Sequence, residues 1–200
     1  MPRLFVSVDL PDRLTDAFAA VQEPLRGVEG LRLTDPAQAH CTLRFLGDVD
    51  ESRVGDVAGA LETAVASVGR SAAESRTESG DAGVDPFEAE VGGLGVFPSR
   101  EYVAVVWVGV REGRGAAGVA RLAAAVERET VALGFEASDH DFTPHLTLAR
   151  VDDARGKDRV LEYLEADPTV GRFRVESVRL AESTLTDDGP VYETRARVAL

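Results

Sequence analysis

"HCTLRFLG", residues 40–47, and "HLTLARV", residues 145–151, carry one phrase, His-x-Thr-Leu, twice in a 200-residue chain with only three histidines. With ordinary Thr and Leu frequencies, two of three histidines preceding x-Thr-Leu by chance is on the order of one in ten thousand. Side chains alternate faces along a strand, so His40 shares a face with Thr42, and His145 with Thr147. Cys41, Leu43, Leu146 and Leu148 point the other way, where they can pack against helices. Each strand thus offers one imidazole and one hydroxyl to the same side.

Working outward, the two halves of the chain read alike. "RLFVSVDL" (3–10) is strand-like, with Phe5, Ser7 and Asp9 on one face and Leu4, Val6, Val8 and Leu10 on the other. Pro11 and Asp12 then open a helix whose Leu14, Phe18, Val21 and Leu25 repeat at helical spacing, with Gly27 as its stop. After the first His-x-Thr-Leu strand, Val54, Val57, Leu61, Val65 and Val68 form another helical stripe. A glycine-interrupted strand follows at 87–97. The second half runs strand (101–110, apolar enough to be buried on both faces), helix (Val119, Leu122, Val126, Leu133; Gly134 as stop), His-x-Thr-Leu strand and short helix (Val160, Leu164). It closes on strands at 172–184 and 191–200. This is a supersecondary duplication within one α+β domain spanning 1–200, with motifs at 40–43 and 145–148. Equivalent residues of duplicated halves meet across a pseudo-two-fold axis, and His40 and His145 are placed to do so. Residues 71–86, rich in Ser, Gly and acid, lose all periodicity and read as a flexible insertion.

Composition narrows the class. Thirty-five acidic residues against 22 basic ones give a net charge of −13, and Lys157 is the only lysine. Such a surface suits solubility at high salt, so the chain reads as halophilic; a nucleic-acid partner would need a local arginine patch rather than a global basic field. No apolar run reaches the roughly 18–20 residues of a membrane span, and the start lacks a signal peptide's pattern, so a cytoplasmic protein is expected. Cys41 is the only cysteine, which leaves no disulfide framework.

An imidazole titrates near neutrality, so one of the pair can act as general base while the other acts as general acid. Threonine hydroxyls are short donors suited to anionic oxygens. Together they describe in-line displacement at phosphorus without a metal. A zinc site wants three or four ligands, and His140, flanked by acids, reads as a solvated loop residue; no metal and no cofactor are expected. By alternation Arg44 joins the His40 face and is a candidate RNA contact or a solvated strand-end arginine, whereas Arg150 alternates away from His145, which argues for a structural role. Phe5 reads as a base-stacking residue or as core, Trp107 as packing. Cys41 points away from His40.

"HCTLRFLG" and "TPHLTLAR" resemble the paired signatures of the two-histidine (2H) phosphoesterases. Within them the chain is similar to the RNA 2′,3′-cyclic phosphodiesterase branch, also described as 2′-5′ RNA ligases, as a haloarchaeal-type member. "RLFVSVDLP", "GVFPSREYVAVVWVGV" and "VRLAESTLTDDGPVYE" extend the likeness over nearly the whole chain; the acidic insertion departs from it. The resemblance implies a bilobal α+β fold, two antiparallel sheets facing a central cleft with helices outside. It also implies metal-free hydrolysis of 2′,3′-cyclic phosphate to 2′-phosphomonoester. His40 would be the proton donor and His145 the proton acceptor, with Thr42 and Thr147 on the phosphate oxygens; the family often has a basic residue at the position of Arg44, and Phe5 and Arg150 are further candidate RNA contacts read from the sequence. The implied partners are RNA with 2′,3′-cyclic phosphate ends, tRNA fragments among them, or small cyclic nucleotides, bound by a monomer. Two rivals remain open: 2′-5′ joining of RNA ends, the same displacement reversed, and a non-catalytic RNA- or nucleotide-binding module.

Overall fold

A computed structural model describes residues 1–73, 85–186 and 189–200. Its strands are β1 (Arg3–Asp9), β2 (Leu31–Leu33), β3 (His40–Asp48), β4 (Phe87–Pro98), β5 (Val103–Val110), β6 (His145–Val151), β7 (Thr169–Val175), β8 (Ser177–Thr186) and β9 (Gly189–Ala199). Its helices are α1 (Thr15–Gln22), α2 (Val54–Ala73), α3 (Arg114–Ala132) and α4 (Lys157–Tyr163). All strand pairs are antiparallel, in one curled sheet of order β7-β4-β5-β6-β3-β1-β8-β9, with β2 paired to β6 beside this path.

That order reads as two four-stranded halves related by a pseudo-two-fold: β6 answers β3, β5 answers β1, β4 answers β8 and β7 answers β9. The halves meet at a single register pair, Cys41 with Leu146, both essentially buried. The joint therefore lies inside the two His-x-Thr-Leu motifs. Strands β4 and β8 each leave the half that precedes them in sequence and pair in the other, which knits the halves together.

The helical stripes cover the sheet's outer face. Val57 and Leu61 of α2 and Leu122 and Val126 of α3 are fully buried, and the two helices pack against each other as well as on the sheet. Each such side chain stabilises the fold by roughly 1.5–3 kcal/mol. Phe18 of α1 is likewise fully buried, and Gln22 Nε2 donates to the carbonyls of Leu148 (2.8 Å) and Thr34 (2.9 Å), tying α1 to the back of β6.

Several expectations change in detail. The helix read from Asp12 to Leu25 is a short α-helix between two 3-10 turns, Asp12–Leu14 and Glu23–Leu25, because Pro24 cannot continue the α-helical hydrogen bonding. The strand at 172–184 is two strands that part at Glu176, β7 in one half and β8 in the other. In β5 Val106, Val108 and Val110 are buried on one face, whereas Val105 and Trp107 on the other are only partly buried. Of the expected insertion at 71–86, residues 71–73 are the end of α2; 74–84 lie outside the described residues. Strand β2 is too short to show a period in sequence.

Candidate active site

Continuing the register from Cys41 and Leu146 by one residue each way sets His40 opposite Thr147 and Thr42 opposite His145. The four side chains project from the same side of the sheet, away from the buried Cys41 and Leu146. Each imidazole thus stands beside the threonine of the other motif, a quartet held on two rigid strands at the centre of the curled sheet.

Both rings are fixed in the same way. His40 Nδ1 lies 2.7 Å from the carbonyl of Gln38, and His145 Nδ1 lies 2.7 Å from the carbonyl of Thr143, in each case two residues back along the chain. A carbonyl only accepts, so Nδ1 carries the proton and Nε2 is left to exchange one with a substrate. Burial lowers both histidines below the ordinary imidazole value, and the carbonyl bond partly offsets it in each.

The electrostatic surroundings differ. At His40, Arg179 pushes the pKa further down while Asp9, its register partner on β1, pushes it up. Asp9 is held by Arg179 (3.0 Å) and Arg197 (2.9 Å) and accepts from Ser7 Oγ (3.3 Å). At His145 the neighbouring charge is Arg150, which lowers the pKa, and no carboxylate among the described residues opposes it.

Aromatic rings brace each imidazole. Phe5 lies 5.0 Å from His40 and Tyr192 stands edge-on at 5.1 Å; Phe97 is edge-on to His145 at 4.9 Å, with Trp107 at 5.9 Å. Trp107 fits because the strand beneath it is glycine: a Cβ at Gly95 would sit 2.1 Å from the indole, and one at Gly109 would sit 3.2 Å from it.

Two matching bulges redirect the arginines. On β3, Ser7 pairs with Thr42 but Val6 pairs with Arg44, so Leu43 is an extra residue; on β6, Trp107 pairs with Thr147 but Val106 with Ala149, so Leu148 is extra. Each bulge reverses the alternation beyond it. Arg44 therefore turns away from His40, is 8% exposed, pairs with Glu127 of α3 at 3.0 Å and donates to the carbonyl of Glu136. The expectation that it shares the His40 face is corrected. Arg150 turns the opposite way, onto the cleft face, exposed, where its charge acts on both His145 and Tyr192. The expectation that it faces away from His145 is corrected too. Phe5, 2% exposed, is a wall behind His40 rather than an open surface for a base. Trp107, expected as packing, borders the site.

Cys41 faces the core, where burial pushes its thiol up to about 12. His140 is exposed beside Asp139. Among the described residues no three histidine, cysteine or carboxylate groups converge on one point, and no helix is long and apolar enough to cross a membrane. The sequence did not single out Asp9, Gln38, Phe97, Arg179 or Tyr192. Asp9 was legible only as a face-mate of Phe5 and Ser7; that this face borders His40 depends on the strand order.

Comparison with known proteins bears on this geometry. A family model described as the 2′-5′ RNA ligase superfamily matches residues 10–187. An RNA 2′,3′-cyclic phosphodiesterase of Aeropyrum pernix is 36% identical over 184 residues, 91% of this chain and 90% of that protein. Another protein of that name, from Methanothermobacter thermautotrophicus, is 31% identical over 193 residues, 95% of this chain and 94% of its own. The crystal structure of TT0787 of Thermus thermophilus superposes with a TM-score of 0.73 at 28% identity, covering 99% of this chain and 97% of that one.

Proposed function

Because the chain belongs to the 2′-5′ RNA ligase superfamily, we propose that it is an RNA 2′,3′-cyclic phosphodiesterase that opens the cyclic end to a 2′-phosphomonoester without a metal. The observation that carries this reading is the quartet: two imidazoles with Nδ1 committed to a carbonyl and Nε2 free, each across from the other motif's threonine.

The phosphate lies between the histidines. His145 Nε2 takes a proton from water as the water oxygen bonds to phosphorus, and the P–O3′ bond breaks on the opposite side. His40 Nε2 gives its proton to the departing O3′, while the bond to O2′ stays. The hydroxyls of Thr42 and Thr147 donate to the non-bridging oxygens, where charge grows in the transition state. Arg150, exposed at the cleft, adds positive charge beside the anion and is a contact for the RNA backbone. Solvent exchange then returns the two histidines to their starting states. Charge marks the two histidines differently: Asp9 beside His40 supports its protonated form against a larger opposing push from Arg179, and the Arg150 guanidinium beside His145 supports the neutral form.

The substrates are RNA ends bearing a 2′,3′-cyclic phosphate, tRNA fragments among them, or small cyclic nucleotides, taken by a cytoplasmic monomer. The test is turnover of a nucleoside 2′,3′-cyclic phosphate at high salt with chelator present, and identification of the product isomer. The proposal expects only 2′-phosphate, lost in His40→Ala and in His145→Ala. Turnover abolished by chelator, or release of 3′-phosphate, would contradict it.

A further inference from the structure

Thr147 and Leu148 lie at a gap in the strand pairing. On the edge of β6 toward the other half, Cys41 of β3 pairs with Leu146 and Leu33 of β2 pairs with Ala149. Among the described residues, no strand residue is paired on that edge with the two between. The β6 bulge falls at the same place, with Leu148 as its extra residue. A carbonyl left without a donor inside a sheet is costly, and a strand so interrupted can twist.

Two residues outside the sheet supply the missing donors. Thr34, which follows β2, donates its hydroxyl to the Thr147 carbonyl at 2.6 Å and its backbone N–H to the Leu148 carbonyl at 3.0 Å. Gln22, 1% exposed at the end of α1, gives one amide hydrogen to the Leu148 carbonyl at 2.8 Å and the other to the Thr34 carbonyl at 2.9 Å. Gln22 therefore braces Thr34 as well as the bulge. Threonine is stiff at χ1, so the direction of the Thr147 hydroxyl follows from the setting of its backbone. Thr34 holds that backbone at the carbonyl of the same residue.

We infer that Thr34, braced by Gln22, is a positioning residue that aims the Thr147 hydroxyl at the phosphate, an assignment that rests on the phosphate-binding role of Thr147 in the reading above. Neither residue touches the substrate. Their effect passes through one carbonyl pair into one half of the quartet, and Thr42 on β3 stands outside it.

The experiment is a double-mutant cycle measured in two ways: kcat/KM on a nucleoside 2′,3′-cyclic phosphate, and calorimetric binding of adenosine 2′-phosphate. Thr34→Val removes the hydroxyl and keeps the shape. It should weaken each quantity about tenfold, the size of one hydrogen bond, and Thr34→Ser, which keeps the donor, should restore most of the loss. Added to Thr147→Val, Thr34→Val should cost less than about twofold more; added to Thr42→Val, it should cost its full tenfold. Gln22→Leu should show the same selectivity. A role confined to stability would give equal costs in both backgrounds, and that result, or unchanged kinetics and binding in Thr34→Val, would overturn the inference. If wild type turns over no cyclic phosphate but the binding cycle keeps its selectivity for Thr147, the hydrolytic reading fails while the positioning role stands.

Discussion

Strands β3 and β6 begin with the same phrase, pair at the same joint and bulge at the same step, at Leu43 and at Leu148. They part at the residues after the bulge. On β3 the inward position is Arg44 and the outward one Phe45, 53% exposed with the Arg3 guanidinium 5.1 Å over its ring; on β6 the inward position is Ala149 and the outward one Arg150. One half thus spends its arginine on the packing of α3, and the other presents its arginine to the cleft. Duplication placed the chemistry symmetrically, and substitutions beyond the shared bulge made the halves unequal. The same holds around the imidazoles, where Asp9 has no carboxylate counterpart beside His145 among the described residues.

That contrast can be broken in graded steps. The largest effect is expected from His40→Ala or His145→Ala, each lowering kcat by about 10²–10⁴-fold, as steady-state kinetics on a cyclic nucleotide would show. Next come Thr42→Val and Thr147→Val, which remove a donor while keeping shape; each should cost on the order of 10²-fold in kcat with the unfolding midpoint nearly unchanged.

The two arginines should then separate cleanly. Arg150→Ala should lower kcat/KM about tenfold, one charge-assisted contact, without moving the denaturation curve. Arg44→Met should destabilise the fold by about 1–3 kcal/mol in urea titration, less than for a fully buried pair because Glu127 is 35% exposed, with kcat of the folded protein preserved. Equal effects of the two on stability would undo the bulge argument.

The smallest effect concerns pH. A base must be neutral, so kcat/KM rises as pH climbs through the pKa of His145; an acid must be protonated, so it falls through that of His40. Both values are lowered from 6.5, chiefly by burial, which sets the optimum of the free enzyme on the acid side of 6.5. Asp9 is the one group holding the His40 value up by charge, so Asp9→Asn should move the alkaline limb to lower pH and leave the acid limb in place. The two titrations influence each other, so the limbs describe the pair as much as each member.

The sequence made much of this legible. Helical stripes such as Val57-Leu61-Val65 land in the core, and the repeated His-x-Thr-Leu marks both the joint between the halves and the site. What it hid has definite causes. A bulge leaves no mark on "HCTLRF" or "HLTLAR", because a two-residue period continues through the extra leucine; alternation alone therefore put Arg44 in the cleft and Arg150 outside it. Tyr192 and Arg179 reach His40 only through strand pairing between the two ends of the chain, a long-range fact with no local signal. Gly95 reads only as an interruption of its strand, and its use as room for Trp107 appears only when β4 and β5 are paired.

The most direct test of unequal roles for two similar histidines is to change the leaving group. A 3′-deoxynucleoside 2′-phosphodiester bearing a p-nitrophenyl group needs no proton donor, because nitrophenolate leaves unassisted, and with no 3′-hydroxyl to attack phosphorus it still needs a base to activate water. Rates for His40→Ala and His145→Ala would be compared on this ester and on the 2′,3′-cyclic phosphate. The account predicts that His40→Ala recovers most of the wild-type rate on the ester while His145→Ala stays impaired on both substrates. Equal impairment of both variants on both substrates, or recovery by His145→Ala alone, would contradict it.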